Sequence, residues 1–351
     1  MSHRRWWLIG LFALACSTAL LASEDASIAD GIITPKEHRR TPDQTFLTFP
    51  EWFLVYSPTE YAQLVKDRPP SEFPFLGHIK QFWQSYRAIY TETKNKYPFN
   101  GEYHTMISVI GVSTTVEYGL RSAYETLIGR IVELTRSNCM TQEEKFGAHV
   151  AQDYVDFIRL EPWYKYDFFD KLVRLWKETS LWGPDLFRKW ERKYALTTEY
   201  LGKAGYAWLI KRGAQSSFDA PVPLTAIVVD RLPGGTDNAL PDTKTLQRFS
   251  DGSALVTVPR YAPFTDHAIS LAKQGIGFRE IAGNRIDILV TVLVPLAWQM
   301  PSDATRLLFT QAIVTQPNLK RVALVVPIKS LTIVLNQLSV PGIQIEHVYD
   351  Y

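Results

Sequence analysis

Cysteine is nearly missing from this 351-residue chain, and its scarcity excludes two kinds of scaffold. There are two cysteines. Cys16 lies inside an apolar leader, which leaves Cys139 alone in the body. An internal disulfide and a cysteine-built structural metal site are therefore not expected, although neither is required of an exported protein. An excess of one charge is also lacking. Lys+Arg 38 against Asp+Glu 36 gives a formal net charge of +2, which argues against a nucleic-acid surface spread over the whole protein. Short motifs with a mechanism are missing too. Gly234-Gly235 lacks the later glycine and lysine of a phosphate loop, and neither a nucleophile elbow nor an HExxH helix occurs.

What the chain does have is aromatic residues, with Trp 10, Tyr 17 and Phe 18, and one long apolar run. Arg4 and Arg5 precede Trp6 to Ala22, a run without a charge, and Glu24, Asp25 and Asp30 follow it. Basic before and acidic after is the asymmetry of an N-in, C-out segment. Cleavage after Ala22 would place Leu20 where a small residue is needed, and Ala13-Leu14-Ala15 before Cys16 is an imperfect lipobox. Residues 1–23 are therefore expected to be a retained signal anchor. The alternatives are a cleaved signal, which would leave a periplasmic or secreted protein, and a lipoprotein attached through Cys16. The bulk of the chain would be extracytoplasmic in each case.

Residues 24–45 are polar and read as a tether. Over 46–214 helical signals dominate. Thr48-Phe-Pro-Glu51, Ser57-Pro-Thr-Glu60 and Thr141-Gln-Glu-Glu144 each have the form of a capping box. Leu120, Tyr124, Ile128, Ile131 and Leu134 recur at helical spacing. From Tyr166 onward aromatic and basic residues alternate, with Phe169, Trp176, Phe187 and Trp190 among Lys171, Arg174, Arg188, Lys189, Arg192 and Lys193. Two readings follow: bundle helices with solvated cations, or an interfacial surface whose aromatics enter lipid while the cations meet phosphates. In the second, Trp6, Trp7, Phe169, Trp176, Phe187 and Trp190 contact the membrane.

Over 221–351 the pattern changes. Val258-Pro259, Thr265, Leu271, Gly275 and Ile281 are echoed by Val326-Pro327, Thr332, Leu338, Gly342 and Val348. From each threonine the offsets of six, ten and sixteen are identical. Each copy reads strand, helix, strand, so a ferredoxin-like sandwich of duplicated βαβ units is expected, extended by a strand at Ile286–Val294. The fold class is then α+β: an N-terminal anchor, a mainly helical middle and a C-terminal sandwich.

Candidate chemistry is sparse. Thr105 to Val116 carries no acidic or basic residue and is followed by Glu117, Arg121 and Glu125 at spacings of four. A core helix with an exposed ladder is the first reading, and a membrane-embedded segment with a functional Glu117–Arg121 pair the second. His104 precedes it and could serve as a base beside them. His149 and Asp153 share a helix face but have no third ligand nearby. Ser270-Leu-Ala-Lys273 matches a serine-x-x-lysine pattern without its companion motifs. No cofactor or metal is implied, and nothing in the residues resembles a family of known activity. The expectation is a membrane-anchored envelope protein acting as a binding or assembly module, its partners the bilayer and a protein or second copy. The alternative is a membrane-associated enzyme with an acid–base group near His104, Glu117 and Arg121.

Overall fold

The chain begins its described course by being tied to a sheet formed far later in sequence. In the computed structural model, which describes residues 31–135, 137, 139–214, 224–232, 242–300 and 305–350, the backbone N–H groups of Ile33 and Thr34 both donate to the Glu280 carboxylate. Arg40 N–H donates to the Ala282 carbonyl at 2.9 Å. Residues 33–43 thus lie along this sheet, and residues 33–351 form one compact unit.

The helical half opens with α1, Gln44–Leu64. It runs through Thr48 and Ser57, which do not cap separate helices. Thr48 Oγ1 donates to the Gln44 carbonyl at 2.7 Å, and Ser57 Oγ bonds His78 and Tyr118. Pro50 and Pro58 each remove one ladder donor. Packing compensates, with Phe46, Phe49 and Phe53 at most 1% exposed. After α1 come α2 (Phe75–Thr93) and α3 (Gly101–Tyr124). A wide π-type turn at Glu125–Gly129 and α4, Arg130–Glu133, extend α3. Then follow α5 (Gln142–Ile158), α6 (Phe168–Glu178) and α7 (Leu186–Ala214). Thr141 does form the expected capping box: its side chain accepts from Glu144 N–H, and the Glu144 carboxylate accepts from Thr141 N–H.

The remainder is mixed. Strands β1 (Leu224–Val229), β2 (Lys244–Arg248) and β3 (Ala254–Pro259) precede α8 (Ala262–Lys273) and β4 (Phe278–Ile281). Then β5 (Asp287–Pro295), β6 (Arg306–Ala312) and β7 (Leu319–Pro327) precede α9 (Leu331–Leu338) and β8 (Gln344–Val348). The expected strand–helix–strand segments fall in place, but not in one sheet. There are two antiparallel sheets of four, ordered β2-β3-β1-β4 and β6-β7-β5-β8. Each unit brings two further strands that complete a sheet of its own, with β1 or β5 inserted between the strands of the βαβ. The turn at Pro233 to Asn238, including Gly234-Gly235, lies outside the described residues.

Alternation along β5 explains how this half meets the helices. Ile288, Val290, Val292 and Val294 join α8, α9 and one face of the first sheet in a single core. Leu289, on the opposite face, joins Ala323, Val325 and Tyr349 against Phe46, Phe49 and Phe53 of α1. A strand buried on both faces this way reads as an unbroken apolar run.

Candidate functional site: a cavity beneath two antiparallel helices

Helices α3 and α7 lie side by side and antiparallel. Ser113 meets Tyr206 at 3.3 Å, Arg121 meets Glu199 at 3.0 Å, and Glu125 meets Arg192 at 2.9 Å. Under their seam is a cavity of about 160 Å³. Phe53, Leu54, Val109, Ile110, Val150 and Leu196 supply apolar wall, and five tyrosines also line it. Among the apolar and aromatic residues of the lining, Val109 (45%) and Tyr206 (38%) are the most open to the outside, and the Glu117 side chain is exposed beside them. Val109 and Tyr206 both lie along the seam.

Four charged side chains of the lining close on one another. Arg121 reaches Glu117 at 3.5 Å and Glu199 at 3.0 Å, while Lys203 reaches Glu117 at 3.3 Å and Glu199 at 2.8 Å. Two cations and two anions thus form a neutral ring. Burial pushes the Glu199 carboxyl up, but Arg121 and Lys203 beside it prevail and bring it down to about 2. Burial likewise pulls Arg121 and Lys203 down, and the glutamates hold both above their ordinary values. Arg121 also lies 4.6 Å from the Tyr61 ring centre, and Lys203 5.4 Å from that of Tyr154, so the ring is backed by aromatic faces. Arg121, Lys203 and Glu199 are thus held in their charged forms at neutral pH, and none of the three is a free base.

Of the sequence candidates, Glu117 and Arg121 do come together here, and His104 does not. It lies thirteen residues before Glu117 on α3, roughly 20 Å along the axis. There it stacks on Phe99 with centroids 4.7 Å apart and bonds the Tyr86 hydroxyl through Nδ1 at 2.9 Å. Burial lowers its pKa. A group of three around His104, Glu117 and Arg121 is therefore corrected to a ring of four around Glu117, Arg121, Glu199 and Lys203. Glu199 and Lys203 escaped sequence reading, although their spacing of four repeats that of Glu117 and Arg121. Asp153, the other half of the His149–Asp153 pair, binds Lys171 at 2.8 Å, and no group of metal ligands occurs among the described residues.

Ser57, also in the cavity wall, bonds His78 Nδ1 at 2.9 Å, and Glu60 lies 3.5 Å from His78 Nε2. Nucleophile, base and acid are in the right order, but the geometry does not support acyl transfer. Ser57 Oγ is also held by Tyr118 at 2.7 Å, and His78 Nε2 makes no aligned hydrogen bond. Burial and Arg321 lower His78 to about 3. Glu60 continues the chain to Arg321, and Arg321 to Glu346 at 2.6 Å. This is a polar thread joining α1 and α2 to β7 and β8.

The aromatic-basic helices divide sharply. Phe169 (61%), Trp176 (51%), Phe187 (70%) and Trp190 (45%) are exposed. Four of the cations, all on α7, are neither solvated nor free for phosphates, whereas the side chain of Arg174 on α6 is partly exposed. Arg188, Lys189, Arg192 and Lys193 are at most 3% exposed. They pair with Glu143, Glu144, Glu191 and Glu125. Both charge readings of these four are thus corrected, because each of the four has a glutamate partner on the α3 extension or α5. Trp6 and Trp7 lie outside the described residues.

The apolar stripe of α3 faces outward. Val112 (57%), Val116 (56%), Leu120 (68%), Leu127 (66%), Ile131 (64%) and Leu134 (87%) are exposed. The inner face carries His104, Ile107, Gly111, Thr114 and Tyr118. Gly111 is required there, since a Cβ would come within 2.5 Å of Phe82 and 2.8 Å of Trp83. Leu201 (57%), Trp208 (55%) and Leu209 (59%) expose α7 similarly. No helix among the described residues is long and apolar enough to cross a membrane. No protein-family model, characterised protein or solved structure matches this chain.

Proposed function

We propose that this chain is a membrane-anchored envelope protein that acts as a binding or assembly module rather than as an enzyme. One observation carries the reading. Between Tyr194 and Ile210 the only charged residues are Glu199 and Lys203, and between Thr105 and Tyr124 only Glu117 and Arg121. These four neutralise one another at the α3–α7 seam. The outer faces are left apolar, and exposed apolar surface on this scale marks contact with a membrane or a partner. Burying ionic side chains against one another is also how charges are tolerated close to hydrocarbon. The apolar run Trp6 to Ala22 supports an anchor. The exposed Phe169, Trp176, Phe187 and Trp190 support contact at the headgroup level. The recurring order β-β-β-α-β supports a duplicated, ferredoxin-like C-terminal region that presents sheet edges to a protein partner or a second copy.

The enzymatic alternative is weaker, because Glu117 and Arg121 are engaged with Lys203 and Glu199 and His104 is remote. The test is a topology and extraction experiment on the full chain, with reporters after Ser23, after Asn138 and at Tyr351. Retention in alkali-washed membranes with all three reporters extracytoplasmic is expected. Recovery of the intact chain in the soluble fraction at low salt overturns the reading.

A further inference from the structure

The cavity beneath the α3–α7 seam offers hydrogen-bond donors that the protein itself does not use. Tyr200 is 3% exposed and lines the cavity, and its hydroxyl has no hydrogen-bond partner among the described residues. The same holds for Tyr61 and Tyr154. By contrast, Tyr118 is bonded to Ser57 and Tyr206 to Ser113. None of the three unbonded hydroxyls is among the sealed side-chain atoms without a partner in the described residues, so they reach accessible space, where a tyrosine O–H can donate to a molecule. The charged groups cannot supply what is missing, since the ion ring is closed and neutral. Its balance also means that a charged ligand would have to break existing pairs to be held.

Size narrows the class. A void of about 160 Å³ is close to the roughly 150 Å³ of an engineered apolar cavity in another protein that takes up benzene. We propose that this cavity is a binding site for an uncharged, ring-sized molecule carrying a hydrogen-bond-accepting oxygen, an aromatic or alicyclic carbonyl compound in chemical class. Tyr200 donates to the oxygen, and the ring fills the space between Ile110, Val150 and Leu196. Val109 and Tyr206 at the seam mark the way in, on the face assigned above to the bilayer. The inference rests on reading the helical half as a binding module, and it names the ligand class of that module.

The test uses the full chain in detergent micelles and three probes of one shape: acetophenone, ethylbenzene and benzoate. Binding is read by calorimetry and by saturation-transfer NMR. Acetophenone is expected to bind saturably at one site, about five- to tenfold tighter than ethylbenzene, which is the value of one hydrogen bond. Benzoate is not expected to bind. Tyr200→Phe should remove the advantage of acetophenone and leave ethylbenzene unchanged. Ala151→Leu, which fills the cavity, should abolish both, with circular dichroism checking that each variant folds. Non-saturable uptake of all probes, equal binding of benzoate, or an unchanged acetophenone affinity in Tyr200→Phe overturns the proposal. The latter outcome assigns the tyrosines to water. Membrane retention is read separately, so a retained chain that binds no probe defeats this inference alone. A soluble chain that binds acetophenone defeats the membrane reading and leaves the cavity assignment standing.

Discussion

Arg121 and Glu199 meet at 3.0 Å across the seam of α3 and α7, each roughly a fifth exposed, with Glu117 and Lys203 completing the ring. Removing one member leaves the others with unbalanced charge in a partly desolvated place. Arg121→Met is expected to lower stability by about 2 kcal/mol, less than the loss at a fully buried pair because solvent still screens the site. The double variant Arg121→Met/Glu199→Gln should recover part of the loss. Chemical denaturation of the four-member cycle checks this. Additivity of the two single losses would mean that the ring is not a coupled unit.

Deeper in the bundle the stakes are higher. Arg188 is 0% exposed, donates from Nε to Glu144 at 2.9 Å and from Nη1 to the Gly129 carbonyl at 3.1 Å. Arg188→Met strips Glu144 of its cationic partner in a dry site and should cost about 3–5 kcal/mol. The melting temperature of the helical half reports it. A loss under about 1 kcal/mol would mean that water reaches the cluster.

Much of this was legible beforehand, and the divide has a physical basis. The alternation Ile288, Val290, Val292, Val294 comes from local periodicity and falls within β5, whereas Ile286, the expected start of that strand, lies before it and is exposed. The strand–helix–strand segments around Thr265 and Thr332 are present as β3-α8-β4 and β7-α9-β8. The strands β2 and β6 escaped notice because Lys244–Arg248 and Arg306–Ala312 are edge strands with largely exposed side chains, which carry little hydrophobic signal. Ser57 and Thr48 have the letters of a cap, but tertiary partners at His78 and Tyr103 claimed their side chains. The ion pairs of α7 join residues up to 86 apart in sequence, as Lys203 does with Glu117, a separation that no spacing rule reaches. The outward stripe on α3 was read by its period, and a period gives a face without saying what the face meets.

Two neighbours at the end of β8 should make stability respond to pH in opposite directions. Burial raises the Asp350 carboxyl to about 7, opposed by Arg260 and by the Thr225 hydroxyl at 2.8 Å. Its stabilising contribution is present below the unfolded value near 4 and is lost as pH rises through about 7. Burial lowers His347 to about 3. Its contribution is present above about 6.5 and is lost as pH falls through about 3. Asp350→Asn should therefore flatten the decline in melting temperature between pH 4 and 7. His347→Gln should flatten the decline between pH 6 and 4. The same pH profile in wild type and both variants would contradict both assignments.

Gly111 offers the sharpest test of how α2 and α3 are fitted together. The atoms that a Cβ would meet are the Phe82 ring and the Trp83 indole, one of them 1% exposed in the core and neither a flexible chain end. Gly111→Ala gains helix propensity of about 1 kcal/mol but must push α2 away, at an overpacking cost of about 1–3 kcal/mol. A net loss is expected, larger for Gly111→Val. Displacing Trp83 would also break the bond from its indole N–H to Thr115 Oγ1, now 3.0 Å. The tryptophan fluorescence of Gly111→Ala should therefore change along with its melting temperature. If alanine proves stabilising, the two helices have room between them, and the close approach inferred at Gly111 is wrong.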